Sequence, residues 1–139
     1  MFVAIALLPK GDAKVGMSQG KLSDCPGTPN CVCSEDESSA FYITPFIIQG
    51  PSDKAWQLLK QLALSAGGTV HEESQSYLWV SFTSKWLRFT DDVEFRIDAE
   101  RNVIHVRSAS RIGRSDFGVN KQRIEALRMQ YLGQLPSVS

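Results

Sequence analysis

A dense group of polar side chains lies between a predicted strand and a predicted helix, in residues 103–127. A helix N-terminus offers unpaired backbone N–H groups and the positive end of the helix dipole, and arginines add paired donors that match a carboxylate or a phosphate. We therefore predict an anion site in which Arg111, Asn120 and Arg123 converge on the ligand. The candidate ligand-binding residues of this junction are Arg107, Arg111, Asp116, Asn120 and Arg123.

A structural role is the alternative for the same arginines. Ion-pair networks that tie a strand to a helix resemble binding sites in their composition. In this interpretation each arginine pairs with a carboxylate of the protein, so the donors are used within the fold. The carboxylates that would serve are Asp91, Asp92, Glu94 and Asp116.

Two carboxylates and a histidine form a second candidate site, for acid–base or metal chemistry. Asp92 and Glu94 share one face of a predicted strand, and His105 lies on the next strand. Such a set would transfer protons or hold a divalent metal, so a hydrolase-like or metal-dependent enzyme is the alternative function. Arginines in the same arrangement would repel a cation, and no metalloprotease, serine-hydrolase or phosphate-loop motif occurs. We therefore expect no metal and no cofactor.

Aromatic residues crowd the turn between two predicted strands, in the segment Trp86-Leu87-Arg88-Phe89. Tryptophan with basic neighbours suits a membrane surface or a contact loop for a partner. This interpretation predicts association with a membrane surface. In the alternative interpretation, Trp86 and Phe89 fold back onto the core.

Length and charge balance limit the classes of function. At 139 residues the chain is predicted to be one domain, residues 22–135, after an N-terminal arm or residual signal or anchor segment, residues 1–21. Its 15 basic and 15 acidic residues cancel, which argues against a nucleic-acid partner. No run approaches the roughly 18 to 20 apolar residues of a membrane span. The apolar residues 2–8 fit either the end of a signal or anchor segment or a first strand.

All three cysteines lie in the segment CPGTPNCVC. The residues between Cys25 and Cys31 favour tight turns, so a small loop would bring these two sulfurs into disulfide range in an oxidising compartment. Cys33 would then be left free. Two alternatives stay open at this point: reduced structural thiols, or a zinc site in which His71 or His105 supplies the fourth ligand.

Apolar residues recur at helical spacing in two segments. The first helix is predicted over residues 52–66, with Ser52 as its N-cap. The second is predicted over residues 119–132, with Asp116 or Ser115 as its cap. Each helix has one apolar face, which must pack against another layer of the fold.

Alternating polar and apolar residues predict four antiparallel strands between the two helices. If Glu100 and Arg101 form the turn of the last hairpin, Glu94 faces Arg107 and the neighbouring pairs also match in character. The polar residues of the strand over residues 92–98 then point outward. An exposed Glu94–Arg107 pair would contribute about 0 to 1 kcal/mol.

The rest of the chain completes the predicted fold class. Residues 11–39 are predicted to be irregular, and residues 41–48 to form an edge strand, since Pro45 interrupts the backbone donors. The order is then strand, helix, four strands, helix. This order predicts an α+β two-layer sandwich, an antiparallel β-meander of about four to five strands with two helices on one face.

Three long segments carry a family resemblance: CPGTPNCVCS, FTDDVEFRID and VIHVRSASRIGRSDFGVNKQRIEALR. Over residues 22–132 the chain resembles the domain of unknown function 1499 family of bacteria and plastids. The resemblance implies an envelope or membrane-attached location. In the family pattern, valine and serines follow the second motif cysteine, whereas this chain has Cys33 at the second of those positions. The resemblance therefore implies a pair between Cys25 and Cys31, with Cys33 as an extra, free thiol.

These features together predict a cell-envelope protein, periplasmic or membrane-associated, that is a non-catalytic binding or structural module. Its expected ligand is a small anionic or lipid-like molecule, and no nucleic acid is expected. An enzyme that uses Asp92, Glu94 and His105 is the alternative.

Overall fold

The computed structural model describes residues 13–84, 89–113 and 118–135. These residues form two helices and eight strands, which confirms the α+β class. The helices are α1 (Ser52–Ser65) and α2 (Val119–Gln134). The strands are β1 (Met17–Ser18), β2 (Lys21–Leu22), β3 (Cys31–Cys33), β4 (Phe46–Ile47), β5 (Thr69–Glu73), β6 (Tyr77–Thr83), β7 (Thr90–Asp98) and β8 (Val103–Ser110). No helix in the described residues is long and apolar enough to cross a membrane.

One antiparallel sheet organises the domain, with its strands in the order β3-β8-β7-β6-β5. The last four strands of the chain, β5 to β8, form the predicted meander. β4 also pairs with β8, so the short strands β3 and β4 share the outer edge of β8. β1 and β2 form a separate two-stranded hairpin.

The N-terminal part of the chain is more ordered than its sequence pattern predicts. β1, β2 and β3 all lie within residues 11–39, which were expected to be irregular. The expected edge strand over residues 41–48 contributes only Phe46 and Ile47 to the sheet. The open edge of β8 explains β3 and β4, because unpaired backbone groups at an edge are satisfied even by short segments without alternation, whereas β1 and β2 pair with each other.

The pairing of β7 with β8 confirms the predicted hairpin register. Glu94 lies opposite Arg107, and Phe95 lies opposite Val106. On the other side of β7, Trp79 of β6 lies opposite Glu94. Because side chains alternate across a strand, the three central strands carry polar residues on one face and apolar residues on the other.

Both helices pack on the apolar face of the sheet and enclose the core. The predicted cap of α1 is wrong, because the N-cap position is Pro51, which makes no side-chain capping hydrogen bond, and Ser52 is the first helical residue. Proline has the backbone angle that suits a residue entering a helix. Gly67, at φ +100°, then turns the chain out of the helix in the left-handed conformation that favours glycine.

The second helix buries the apolar stripe that its spacing indicates. Tyr131 packs edge-on against Phe46, with ring centroids 5.3 Å apart, and so joins α2 to the edge of the sheet. The N-cap position of α2 is Gly118. The predicted caps, Asp116 and Ser115, lie outside the described residues.

The polar face of the sheet is covered, so the prediction that it points outward into solvent is wrong. Glu94 is 0% exposed, and Arg107 is buried beside it. The cover includes the N-terminal segment (residues 13–16): the Gly16 N–H donates to Glu94, and the Lys14 carbonyl accepts from Arg107. Hydrogen bonds from this segment replace those of water, which allows charged groups to be buried.

Candidate functional site

The three central strands bring a row of polar side chains to the covered face of the sheet. Alternation selects every second residue of each strand, and the antiparallel register places the selected residues side by side. The charge of the row depends on how each carboxylate is paired. The row comprises Tyr77, Trp79, Asp92, Glu94, Arg96, His105 and Arg107.

Asp92 is held by an arginine and a tryptophan. Arg111 donates from Nε to Oδ2 at 2.8 Å and from Nη2 to Oδ1 at 2.9 Å, which is the bidentate geometry that a guanidinium favours. Trp79 donates from Nε1 to Oδ1 at 2.8 Å. The buried charge of Asp92 is therefore compensated by a close cation and three hydrogen bonds.

Glu94 is buried with a more distant cation. Its Oε2 accepts hydrogen bonds from the Tyr77 hydroxyl at 2.6 Å and from the Gly16 N–H at 2.8 Å. Arg107 approaches only the other oxygen, with Nη1 3.5 Å from Oε1. Burial outweighs these contacts and raises the pKa of the Glu94 carboxyl. Burial, together with the neighbouring Glu94 carboxylate, also raises the pKa of the Tyr77 hydroxyl.

The guanidinium of Arg107 is buried and incompletely paired. Its side chain is only 5% exposed. A guanidinium carries five N–H donors, yet within the described residues Arg107 donates only from Nη1, to the Lys14 carbonyl at 3.2 Å and to Glu94. Its Nε is buried and has no hydrogen-bond partner in that part of the chain. A buried charge with unused donors is destabilising, and a bound anion would offset that cost.

A cleft of about 230 Å³ opens beside Arg107 and Arg111. We call it the Arg107–Arg111 cleft. One wall is the loop that a disulfide between Cys25 and Cys31 closes, with the two Cα atoms 5.6 Å apart. Basic residues outnumber acidic residues in the lining, which favours an anionic ligand. Besides the two arginines, the polar lining residues include Lys14, Thr28, Asn30 and Asp92.

The third cysteine is a free and buried thiol. Burial raises the pKa of Cys33, which keeps the sulfur protonated and makes it a poor nucleophile and a poor metal ligand. Among the described residues, no group of three or more His, Cys, Asp and Glu side chains is placed to hold a metal ion. The cysteine segment is therefore a disulfide loop with one extra thiol in this structure.

The structure divides the predicted anion-site residues between the two faces of the sheet. Arg107 and Arg111 lie on the covered polar face. Arg123 lies on the helix side, where its Nη1 donates to Asp91 at 2.9 Å. Arg123 also donates to Asn120 at 3.2 Å, so these two residues lie together, but the sheet separates them from Arg111 and the three do not converge on one ligand in this structure.

Asn120 holds together three parts of the helix side. Its Oδ1 accepts from the Ser108 hydroxyl of β8, and its Nδ2 donates to the Asn30 carbonyl at 3.1 Å and to Ser110 Oγ at 3.0 Å. The residue thus joins the start of α2 to β8 and to the disulfide loop. Asp116, the remaining residue of the predicted site, lies outside the described residues.

Comparison with known proteins places the domain in a family. A family model described as "Protein of unknown function (DUF1499)" matches residues 21–131. The chain belongs to the DUF1499 family. The matched residues include the disulfide loop, the whole main sheet and most of α2, so the Arg107–Arg111 cleft lies within the DUF1499 domain except for Lys14. A search of the curated proteins found no match.

In this DUF1499 protein, the three residues of the alternative enzyme do not share a site. Asp92 and Glu94 are bound by different partners, as described above. His105 lies further along the hairpin, opposite Arg96. Its ring nitrogens face other residues, so Asp92, Glu94 and His105 do not form a common acid–base centre.

His105 belongs instead to a cluster that the sequence analysis missed. Ser34 Oγ lies 2.9 Å from Nδ1 of His105. Nε2 of the same ring lies 3.5 Å from Glu35 and 3.4 Å from Asp98. Arg96 binds Glu35 through Nε at 2.7 Å and Nη2 at 2.9 Å. These residues border a second, polar cavity of about 750 Å³.

Ser34, His105 and two carboxylates follow one another in the order of a serine-hydrolase triad, but the serine is buried. Ser34 is buried, and its Oγ accepts the Val106 N–H at 2.8 Å. With the proton assigned to Nε2, which faces the carboxylates, the Ser34 hydroxyl donates to Nδ1. Both hydrogen bonds of the hydroxyl are thus made within the fold, and Ser34 is only 3% exposed although it borders the cavity.

Long sequence separations explain why this cluster was missed. Ser34 lies 71 residues from His105, and Glu35 lies 61 residues from Arg96. No periodicity within one strand or helix relates such positions. Only a prediction that β3 pairs with β8 would have indicated that Ser34 lies near His105. Burial alone would raise the pKa of Glu35, but hydrogen bonds from Arg96 and from the Leu22 N–H lower it.

Proposed function

We propose that this DUF1499 protein is a non-catalytic module that binds a small anion in the Arg107–Arg111 cleft. The observation that carries the proposal is the buried guanidinium of Arg107, whose only ion pair is 3.5 Å long and whose Nε has no partner within the described residues. Arg107 lines the cleft, so an anion there would compensate a guanidinium charge that Glu94 approaches only to 3.5 Å.

The size of the cleft supports a small ligand. A water molecule takes roughly 30 Å³ of liquid volume, so about 230 Å³ has room for a phosphate, sulfate or carboxylate group and a few further atoms. The ligand is therefore a small oxyanion or the headgroup of an anionic lipid. Arg111 is bidentate to Asp92, which orders its guanidinium at the wall of the cleft.

The pairing of the carboxylates supports a binding role over catalysis. Asp92 is neutralised by Arg111, and Glu94 is enclosed by Tyr77 and Gly16. A general acid or base must reach a substrate proton within hydrogen-bond distance. The fold commits both carboxylates to internal partners.

We further propose that the protein acts in the cell envelope, in contact with a membrane surface. The Cys25–Cys31 disulfide supports this location, because disulfides persist in oxidising compartments. Phe89, which ends the aromatic turn, is 49% exposed and is available to a lipid surface. Trp86 and Leu87 of the same turn lie outside the described residues.

A thermal-shift series with sulfate, phosphate and citrate tests the anion site. A ligand that binds only the folded state stabilises it by about 1.4 kcal/mol at about ten times its Kd. We expect stabilisation of the wild type at millimolar anion, and its loss in R107Q and R111Q. Because Arg107 is buried and its variant risks misfolding, the R111Q variant carries the test if R107Q fails to fold.

The matched control is R123Q, which removes an arginine from the opposite face of the sheet. This variant should lose some stability but keep the wild-type response to sulfate. Equal loss of the response in R111Q and R123Q, or no stabilisation of the wild type by any of the anions, would overturn the proposal. Vesicles that contain phosphatidic acid, compared with free phosphate, distinguish a lipid headgroup from a soluble anion.

A further inference from the structure

The two oxygens of the Glu94 carboxyl have different surroundings. Oε2 receives two short hydrogen bonds, from the Tyr77 hydroxyl at 2.6 Å and from the Gly16 N–H at 2.8 Å. Among the described residues, Oε1 has only the 3.5 Å contact with Nη1 of Arg107. Both donors at Oε2 stay satisfied whether the group is charged or neutral, so Oε1 is the oxygen that has room for a proton.

We propose that binding of an oxyanion in the Arg107–Arg111 cleft takes up one proton from solvent onto Oε1 of Glu94. The inference rests on the proposed anion site. It assigns to Glu94 the role of a buried counter-charge that Arg107 exchanges for the ligand. In the empty protein, the Glu94 carboxylate partly compensates the guanidinium. In the complex, the bound anion compensates it, and Glu94 becomes a neutral acid.

The proton transfer follows from charge and burial. An anion bound near Arg107 would lie close to the Glu94 carboxylate, which is 0% exposed. Two negative charges repel each other strongly in a buried site, because little water screens them. Because burial already raises the pKa of Glu94, protonating this carboxylate needs less free energy than protonating an ordinary glutamate, and it removes the repulsion. Neutral Glu94 also leaves Nη1 of Arg107 without its carboxylate partner and available to the ligand.

The other charged groups around Glu94 bear on its titration as well. Asp92 lies on the same face of the same strand and favours protonation of Glu94, although Arg111 compensates it. Tyr77 stays neutral, since its pKa is raised. The titratable and charged groups around Glu94 are therefore Tyr77 of β6 with Glu72 of β5 behind it, Asp92 of β7 and Arg107 of β8, while the N-terminal segment contributes the backbone N–H of Gly16.

Calorimetry with sulfate tests the coupling, since sulfate does not itself titrate near neutral pH. Binding heats are measured in two buffers of different ionisation enthalpy, from about pH 5 to about pH 8, above the ordinary glutamate pKa of about 4.3. We expect uptake of up to about one proton per sulfate. The affinity should fall as pH rises, by up to about tenfold per pH unit once Glu94 is ionised in the empty protein.

The E94Q variant imitates the neutral acid. It should bind sulfate with an affinity that does not depend on pH and without proton uptake, while D91N, altered on the opposite face of the sheet, keeps the wild-type coupling. Sulfate binding to the wild type without proton uptake, or undiminished uptake in E94Q, would overturn the coupling and leave the anion site standing. No sulfate binding by the wild type at any pH would overturn the anion site itself, and the coupling with it. If E94Q does not fold, the wild-type measurement in two buffers still decides the coupling.

Discussion

The carboxylates of Asp91 and Asp92, consecutive in the chain, bind arginines on opposite faces of the sheet. Asp91 accepts from Arg123 at 2.9 Å on the helix side, and Asp92 accepts from Arg111 at 2.8 Å on the covered polar face. Strand alternation makes this division unavoidable. It separates a stabilising contact between β7 and α2 from the residues that line the Arg107–Arg111 cleft.

Removing the disulfide should destabilise the protein and weaken anion binding. Because the closed loop is short, with a sequence separation of 6, C25S/C31S is expected to lose about 2 kcal/mol of unfolding free energy. Urea denaturation measures this loss. Sulfate affinity should also fall, since the loop is one wall of the cleft.

The C33A variant is the control for the disulfide experiment. It removes the free, buried thiol and leaves the disulfide and the cleft in place. Its loss of stability should be smaller, about 1 kcal/mol, and its sulfate affinity should equal that of the wild type. A C25S/C31S variant as stable as the wild type would show that the loop is held by other contacts.

Glu35 should make the stability of the fold sensitive to acid. Its pKa is lowered in the folded protein, mainly because the bonds from Arg96 and the Leu22 N–H outweigh burial. A lowered carboxyl pKa contributes stability that is present above the unfolded value of about 4.3 and is lost as pH falls through the folded value. The wild type should therefore be more stable than E35Q at neutral pH, and the difference should shrink in acid.

Urea denaturation of both proteins from about pH 3 to about pH 7 measures the Glu35 effect. E37Q, which alters an exposed carboxylate two residues away, should follow the wild type throughout. If the two unfolding free energies differ by the same amount at every pH in this range, the Arg96–Glu35 pair does not respond to protonation of Glu35.

Asn120 should be among the most sensitive polar positions of the fold. It is 1% exposed and bonds to Ser108, Asn30 and Ser110. Truncation to alanine leaves buried polar groups without partners, which costs about 1 to 3 kcal/mol for each group left unsatisfied. We expect N120A to lose at least about 2 kcal/mol in urea denaturation. Q122A, at an exposed position of the same helix, should change stability by less than about 0.5 kcal/mol.

Phe89 should contribute to membrane contact and little to stability. Because 49% of it is exposed, F89S is expected to melt close to the wild-type temperature and to co-sediment less with anionic vesicles. M129S removes an apolar side chain of α2 that is even more exposed, at 74%, and should sediment like the wild type. A large fall in melting temperature for F89S would instead place the ring in the core.

Local patterning was sufficient to predict the frame of this domain. Alternation identified β6, β7 and β8, and matching of side-chain character gave the register that puts Glu94 opposite Arg107. Helical spacing located α1 and α2 to within two residues at each end. These features depend on residues near one another in the chain, which is why the sequence by itself determined them.

Only the tertiary structure decided which of these polar residues are buried and which share a site. Gly16 lies 78 residues from Glu94, and Lys14 lies 93 residues from Arg107. The contacts of this N-terminal segment turn an apparently solvated strand face into an enclosed row of charges. No periodicity encodes such contacts, because they arise when a segment without alternation satisfies the hydrogen bonds of a distant sheet. Burial in turn determines the pairing of Glu94 and the incomplete pairing of Arg107, on which the proposed function depends.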